Sequence, residues 1–163
     1  MGEKKNEDFI QRTLVLIKPD GVRRGLIGEI ISRFEKAGLK IVGIKFIKFT
    51  KELARKFYEE HINKPFYPGL EKFMTSGPVV AIVFEGIKAV EVVRKIIGPT
   101  DCSKAPPGTI RGDLAHTSLE LGPMNVIHGS SSLEDAKREI SLLFKEEELI
   151  EYRRHGEEDI FFS

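Results

Sequence analysis

Tryptophan is absent from this chain of 163 residues, and cysteine occurs once, at Cys102. A single cysteine excludes an internal disulfide and fits a reducing compartment, so a soluble protein of the cytoplasm is expected. His61, His116, His128 and His155 are scattered, and no Cys/His cluster has metal-ligand spacing. Neither sign of charge dominates: 26 Lys and Arg face 25 Asp and Glu, leaving a net charge of +1. That removes the general reason to expect a nucleic-acid or membrane surface, so neither partner is expected. No apolar run exceeds residues 79–84, far too short to span a bilayer, and residues 1–8 lack the apolar core of a signal peptide. The Walker G-x-x-x-x-G-K-[ST] run, the G-x-G-x-x-G fingerprint and the kinase H-R-D triplet are all missing. Any phosphate site in this chain has another design.

What is present reads as one domain over residues 1–163, with 1–12 as a flexible lead. Thr13-Leu14-Val15-Leu16-Ile17 is continuously apolar, as in a strand buried on both faces, and it runs into the turn chemistry of Lys18-Pro19-Asp20-Gly21. Ile27, Ile30, Ile31 and Phe34 make a helical stripe that Gly38 closes. Residues 39–49 alternate partly and read as a second strand, with Val42, Ile44 and Phe46 on one face and Lys45 on the other. Thr50 caps a helix over 51–60, Pro65 breaks the chain, and 66–75 forms another short helix, so a helical hairpin is inserted here. Residues 79–84 give a third buried strand. Val90, Val93 and Ile97 drive a helix ending at Gly98-Pro99, with Arg94 beside its apolar stripe. Residues 98–116 show no periodicity and are rich in proline, which points to a stiff functional loop. A fourth strand ends in Val126-Ile127-His128, a helix follows over 133–144, and residues 146–163 form a charged tail with Tyr152, Phe161 and Phe162 as anchors. This order predicts an α+β fold: a ferredoxin-like βαββαβ antiparallel sheet with an inserted hairpin, a long phosphate-binding loop and a C-terminal extension. Such a sheet has one face that other helices or a second subunit must cover.

His128 is the centre of the chemistry. It sits at a strand end, before Gly129-Ser130-Ser131 and a helix start at Ser132, with Asp135 three residues on. Helix starts favour anions, and imidazole there can act as general base or nucleophile. Glu139 flanks the apolar face of that helix and can reach back to orient the ring. Lone strand-end histidines more often only bond their neighbours, and single charges such as Lys18, Arg94 and Arg111 are usually just solvated. Together with Thr100 they would form a polyphosphate cradle.

Six stretches carry a resemblance. They are residues 13–21, 24–31 and 64–66, Ser76-Gly77-Pro78-Val79-Val80, Pro107-Gly108-Thr109-Ile110-Arg111-Gly112-Asp113, and Asn125-Val126-Ile127-His128-Gly129-Ser130. In order and in spacing, over about residues 13–149, the chain resembles the nucleoside diphosphate kinases. The Asn-x-x-His-Gly-Ser signature with Pro-Gly-Thr-Ile-Arg-Gly-Asp is specific to that family. The resemblance implies transfer of the γ-phosphoryl group of ATP to a nucleoside diphosphate, in two steps through a phosphohistidine. It implies His128 as nucleophile, with Ser130 and Glu139 holding the imidazole and Tyr58 touching the histidine or its phosphate. Lys18, Arg94, Thr100 and Arg111 would hold phosphates, Asn125 and Lys18 would reach the sugar hydroxyls, and Phe66 would stack on the base with Leu70 nearby. Mg²⁺ would arrive on the nucleotide, with no protein ligand of its own. A homo-oligomer, expected to be a hexamer, is also implied.

The chain departs from the family pattern twice. Ser131 stands where most members carry Asp after His-Gly-Ser, and the connection over 117–124 is a few residues long for the family. Two other function classes compete. One is an RNA-binding ferredoxin-like module, disfavoured by the +1 charge and the lack of an aromatic RNP run. The other is a catalytically reduced relative kept for assembly or regulation, disfavoured by the intact His128, Lys18, Arg94, Arg111 and Asn125.

Overall fold

The computed structural model describes residues 9–117 and 122–161, the side chains of 160 and 161 excepted. Strand β1 (Ile10–Ile17) is central in a sheet of four antiparallel strands ordered β2-β3-β1-β4, with β2 spanning Lys40–Lys48, β3 Pro78–Ile87 and β4 Ile127–Gly129. Between β1 and β2 come α1 (Pro19–Arg23) and α2 (Ile27–Lys36). The inserted hairpin is α3 (Lys51–Phe57) and α4 (Tyr67–Met74). After β3 follow α5 (Ala89–Ile97) and α6 (Ile110–Leu114), and after β4 follow α7 (Leu133–Leu143) and α8 (Glu157–Phe161). The expected ferredoxin-like arrangement with its additions is the observed one. Among the described residues no helix is long and apolar enough to cross a membrane.

Helices of the chain itself cover both faces of the sheet. Leu14, Leu16, Ala81 and Val83 pack under the hairpin and α7, against Phe57, Met74, Ile140 and Leu143. Val15, Ile17, Ile82 and Phe84 pack on the opposite face under α2, α5 and α6, against Ile30, Phe34, Val93 and Ile110. Of the two covers expected for the second face, helices or another subunit, helices are the one observed: the hairpin inserted between β2 and β3 fills it together with α7.

Local chemistry explains the boundaries. Thr50 Oγ1 accepts from the Leu53 N–H at 3.0 Å and starts α3, which ends at Phe57; a 3₁₀ turn over Glu59–His61 follows. Ser132 Oγ accepts from the Asp135 N–H at 3.0 Å and starts α7. Gly38 takes φ +94° where α2 closes, which a side chain would resist.

Three local expectations need correction, and the anchoring of the tail by Tyr152 is observed. Residues 10–12 are not a flexible lead, because they pair in register with Ile87, Gly86 and Glu85, and Arg12 binds the Glu85 carboxylate at 2.7 Å. Residues 1–8 lie outside the described residues. In β2 a bulge between Ile41 and Gly43 breaks the alternation, so Val42 is buried while Ile44 and Phe46 are exposed. The aperiodic segment 98–116 contains a 3₁₀ turn at Cys102–Lys104 and helix α6, both too short to show a 3.6-residue period. The charged tail is docked: the Ile150 N–H donates to Val42 O at 2.8 Å, and Tyr152 Oη donates to Ile41 O at 2.6 Å.

Candidate active site

The site lies where β4 ends, beside the centre of the sheet. β4 pairs with β1 so that His128 stands opposite Leu16, and Gly129 lets the strand lie close on α5, since a Cβ there would fall 2.7 Å from Ile97 Cδ1. His128 is half-buried, and its Nε2 lies 2.8 Å from Glu139 Oε1 on α7. Glu139 is buried and also accepts from Ser130 Oγ at 2.8 Å, while the Leu14 N–H donates to that hydroxyl at 3.3 Å. The ring is therefore fixed through Nε2 by a carboxylate that is itself fixed. Nδ1 has no hydrogen-bond partner among the described residues. The Phe57 ring packs against the imidazole in a T-shaped pair, with centroids 5.2 Å apart and planes at 74°, at the end of α3.

Around His128 is a cleft of about 240 Å³ lined by Lys18, Tyr58, Arg94, Thr100, Arg111 and Asn125, with His61, Ser131, Asp135 and Arg138 at its sides. Lys18 Nζ donates to Asn125 Oδ1 at 2.6 Å, and Asn125 Nδ2 donates to Thr100 O at 3.1 Å. Burial pushes the Lys18 ammonium down to about 7, and the nearby Arg111 charge adds to that, against the opposing pull of Asp20. Arg111 is buried; it donates to Gly98 O at 3.1 Å, to Asn125 O at 3.4 Å and to Ile127 O. Burial and the Arg94 guanidinium bring Arg111 down to about 10. Arg94 extends from the exposed side of α5. Both downward shifts are what uncompensated cations in a low-dielectric cleft show. A polyanion would reverse them.

Tyr58 is buried and lines the cleft, but its hydroxyl has no partner among the described residues. Burial, with Glu139 nearby, holds its phenol well above the ordinary tyrosine range, so it stands as a neutral donor. Two expected residues are not in the cleft. Phe66 is 54% exposed at its mouth, 5.5 Å centroid to centroid from the His61 ring. Leu70 is buried in the core beside Met74 and Phe73, because α4 turns that face to the sheet. Leu70 therefore contributes to the core cluster and is not among the residues that line the cleft. Of the two departures, Ser131 sits exposed on the cleft rim, and residues 118–121 of the longer connection lie outside the described residues.

Sequence reasoning missed Phe57, Asp20 and Arg138. Arg138 donates to Lys56 O at 3.3 Å and to Phe57 O at 3.2 Å, pinning the end of α3 to α7. Its place just before Glu139 was the only available signal.

Known proteins share this arrangement. The family model for nucleoside diphosphate kinase matches residues 11–149. A nucleoside diphosphate kinase of Sulfurisphaera tokodaii is 62% identical over 141 residues, which is 86% of this chain and 93% of the relative. One from Pyrococcus horikoshii is 62% identical over 146 residues, 88% of this chain and 91% of the relative. Among solved structures, a transition-state mimic of the Borrelia burgdorferi nucleoside-diphosphate kinase with bound vanadate and ADP superposes with a TM-score of 0.91 at 40% identity, covering 96% of this chain and all of that one (100%). A halophilic nucleoside diphosphate kinase from Halobacterium salinarum in complex with CDP gives 0.86 at 48% identity, covering 93% of this chain and 98% of that one. With the matched segment running from β1 through α7 and including every residue that lines the cleft, the chain belongs to the nucleoside diphosphate kinase family.

Proposed function

We propose that His128 is the residue through which this nucleoside diphosphate kinase passes the γ-phosphoryl group of ATP to a nucleoside diphosphate. One observation carries the assignment: Glu139 occupies Nε2, leaving Nδ1 as the ring nitrogen with its electron pair available beside three cations. In the first half-reaction Nδ1 attacks the γ-phosphorus, the bond to the bridging oxygen breaks, and ADP leaves with that electron pair. In the second, a nucleoside diphosphate oxygen attacks the phosphohistidine, and the imidazole leaves neutral. Phosphoryl transfer needs positioning and charge neutralisation rather than a strong base. Glu139 stabilises the positive charge that develops on the ring, and Ser130 keeps Glu139 in place. Lys18, Arg94 and Arg111 neutralise phosphate oxygens, Thr100 and Tyr58 donate hydroxyls to them, and Asn125 and Lys18 bind the sugar hydroxyls.

Phe66 stacks on the base at the mouth. An exposed aromatic ring accepts any base, and no bidentate amide stands beside it, so discrimination among bases is weak. The donor set suits a metal that comes with its substrate. Lys18, Arg94 and Arg111 dominate the cleft; the Glu139 carboxylate is engaged by His128 and Ser130, and although Glu60 and Asp135 also line the cleft, no group of three or more His, Cys, Asp or Glu among the described residues could hold a metal ion. Mg²⁺ held by the phosphates would add charge neutralisation to that of Lys18, Arg94 and Arg111. Vanadate with ADP in the Borrelia relative and CDP in the Halobacterium relative belong to the ligand classes proposed for this cleft.

Assembly as a homo-oligomer, a hexamer, is part of the proposal. Its support is the edge strand β2, where Ile44 is 52% and Phe46 66% exposed. Apolar side chains exposed on an edge strand call for cover. The lone buried Cys102 supports a cytoplasmic setting. A coupled assay of ADP formation from ATP with a second nucleoside diphosphate tests the activity. Turnover that requires the second diphosphate supports it, and ATP hydrolysis alone contradicts it.

A further inference from the structure

We propose that Asp20 is a positioning residue that aims His128 and Asn125 through the backbone of Val126. The proposal rests on the phosphoryl-transfer reading above. Val126 is buried, is β-branched, and has φ +72°, a region that such residues avoid. The Ile127 N–H donates to Asn125 O at 2.8 Å, closing a three-residue turn centred on Val126. That turn begins at Asn125 and ends at Ile127, next to His128, so its shape sets where both side chains point.

Three groups clamp the turn. The Lys18 N–H donates to Val126 O at 2.8 Å, and Arg111 donates to Asn125 O at 3.4 Å and to Ile127 O. The third is Asp20, whose Oδ2 accepts from the Val126 N–H at 3.0 Å. Lys18 and Arg111 already have a role toward phosphate; Asp20 has none. Its other oxygen, Oδ1, is buried with no partner among the described residues, an arrangement that stability alone would not select. The approach is close: a Cβ on Gly21 would fall 3.1 Å from Val126 O and 2.9 Å from Ile17 Cγ2. The Asp20-Gly21 pair therefore seats a carboxylate against a strained peptide.

Without that acceptor the Val126 N–H is a buried orphan donor, and rotation out of the left-handed region relieves both the orphan and the strain. The rotation would turn the peptide leading into Ile127 and move Nδ1 away from its line of attack. The effect falls on the rate at saturating nucleotide, which a merely structural carboxylate would not change below the melting temperature.

The test is single-turnover labelling of the enzyme by saturating Mg·ATP below the melting point of each variant. Asp20→Ala is expected to slow labelling at least about tenfold, a loss of about 1.4 kcal/mol of transition-state stabilisation. Asp20→Asn keeps an acceptor oxygen and should stay within about threefold of wild type. In a Val126→Gly background the turn carries no strain, so Asp20→Ala should cost at least about threefold less there than in the wild-type background. A loss from Asp20→Ala that is small, or as large in both backgrounds, overturns the proposal. If Asp20→Ala alone fails to fold, the Val126→Gly background decides: a folded, labelling protein supports the clamp, and continued failure to fold overturns it. Absence of labelling in the wild-type enzyme would instead overturn the phosphoryl-transfer reading.

Discussion

The molecule buries cations in two places and treats them in opposite ways. On the tail side of the sheet, Lys40 lies 2.6 Å from the Glu157 carboxylate and 3.2 Å from that of Glu85, and it also donates to Tyr152 O at 2.8 Å. Glu85 accepts from Arg12 as well, and Arg154 donates to Gly38 O and Leu39 O at 2.6 and 3.0 Å. Every charge there finds its opposite or a carbonyl within the chain. In the cleft, Lys18 and Arg111 are bound only by neutral oxygens, and among the described residues neither they nor Arg94 forms a salt bridge with a carboxylate. Paired burial ties the C-terminal segment to β2 and β3. Unpaired burial stores a demand for anionic oxygen that the nucleotide meets.

Removing a charge from each place should therefore produce different losses. Lys18→Met should reduce kcat/KM by about 10²–10³, the usual cost of one donor to a developing anion, with little change in melting temperature. Steady-state kinetics together with a thermal scan checks both halves. Glu157→Ala leaves Lys40 without its nearer carboxylate, which costs about 3–5 kcal/mol when a buried pair is broken. The melting temperature should drop by roughly 10 °C while turnover well below it stays at the wild-type level. Equal losses of activity from the two substitutions would erase the distinction.

A smaller effect sharpens the comparison through pH. Burial and the Arg111 charge push the Lys18 ammonium down to about 7, well below its ordinary value of 10.5. Bound polyphosphate favours the charged form, so binding takes up a proton above that pH. ADP affinity should then weaken as pH rises from about 7 to 9, by at most about tenfold per unit, and calorimetry in buffers of different ionisation enthalpy should detect the uptake. In the ligand-free protein the sign is also set. Between about pH 10.5 and 7 the unfolded chain carries a proton on Lys18 that the folded chain lacks, so stability falls as pH falls through that window.

Much of this was legible before the fold. Buried strands announced themselves as apolar runs, and Ser132 and Thr50 marked helix starts by hydroxyl chemistry that the structure shows in place. The His128–Glu139 contact followed from one residue's place on a helix flank. What was not legible depended on long-range contact. Arg12, read as part of a flexible lead, gains its partner only from the strand register, and Tyr152 reads as an anchor without showing what it anchors to. The bulge at Val42 reverses the partial alternation that the sequence displays, because register is a property of two strands. The packing of Leu70 into the core follows from the orientation of α4, which its own segment does not reveal. Asp20 passes as a turn former, since nothing in its own segment reveals the strained peptide opposite it.

The central claim is that His128, held at Nε2 and free at Nδ1, takes the phosphoryl group beside uncompensated cations. Its most direct measurement is incubation of the purified enzyme with γ-labelled Mg·ATP alone, followed by tests of the bond formed. The account predicts release of ADP and a phosphoenzyme that is lost in acid, survives base and maps to His128 Nδ1; it predicts no labelling in His128→Ala and slower labelling in Glu139→Gln. Acid-labile phosphoenzyme forming in His128→Ala at the wild-type rate would contradict it.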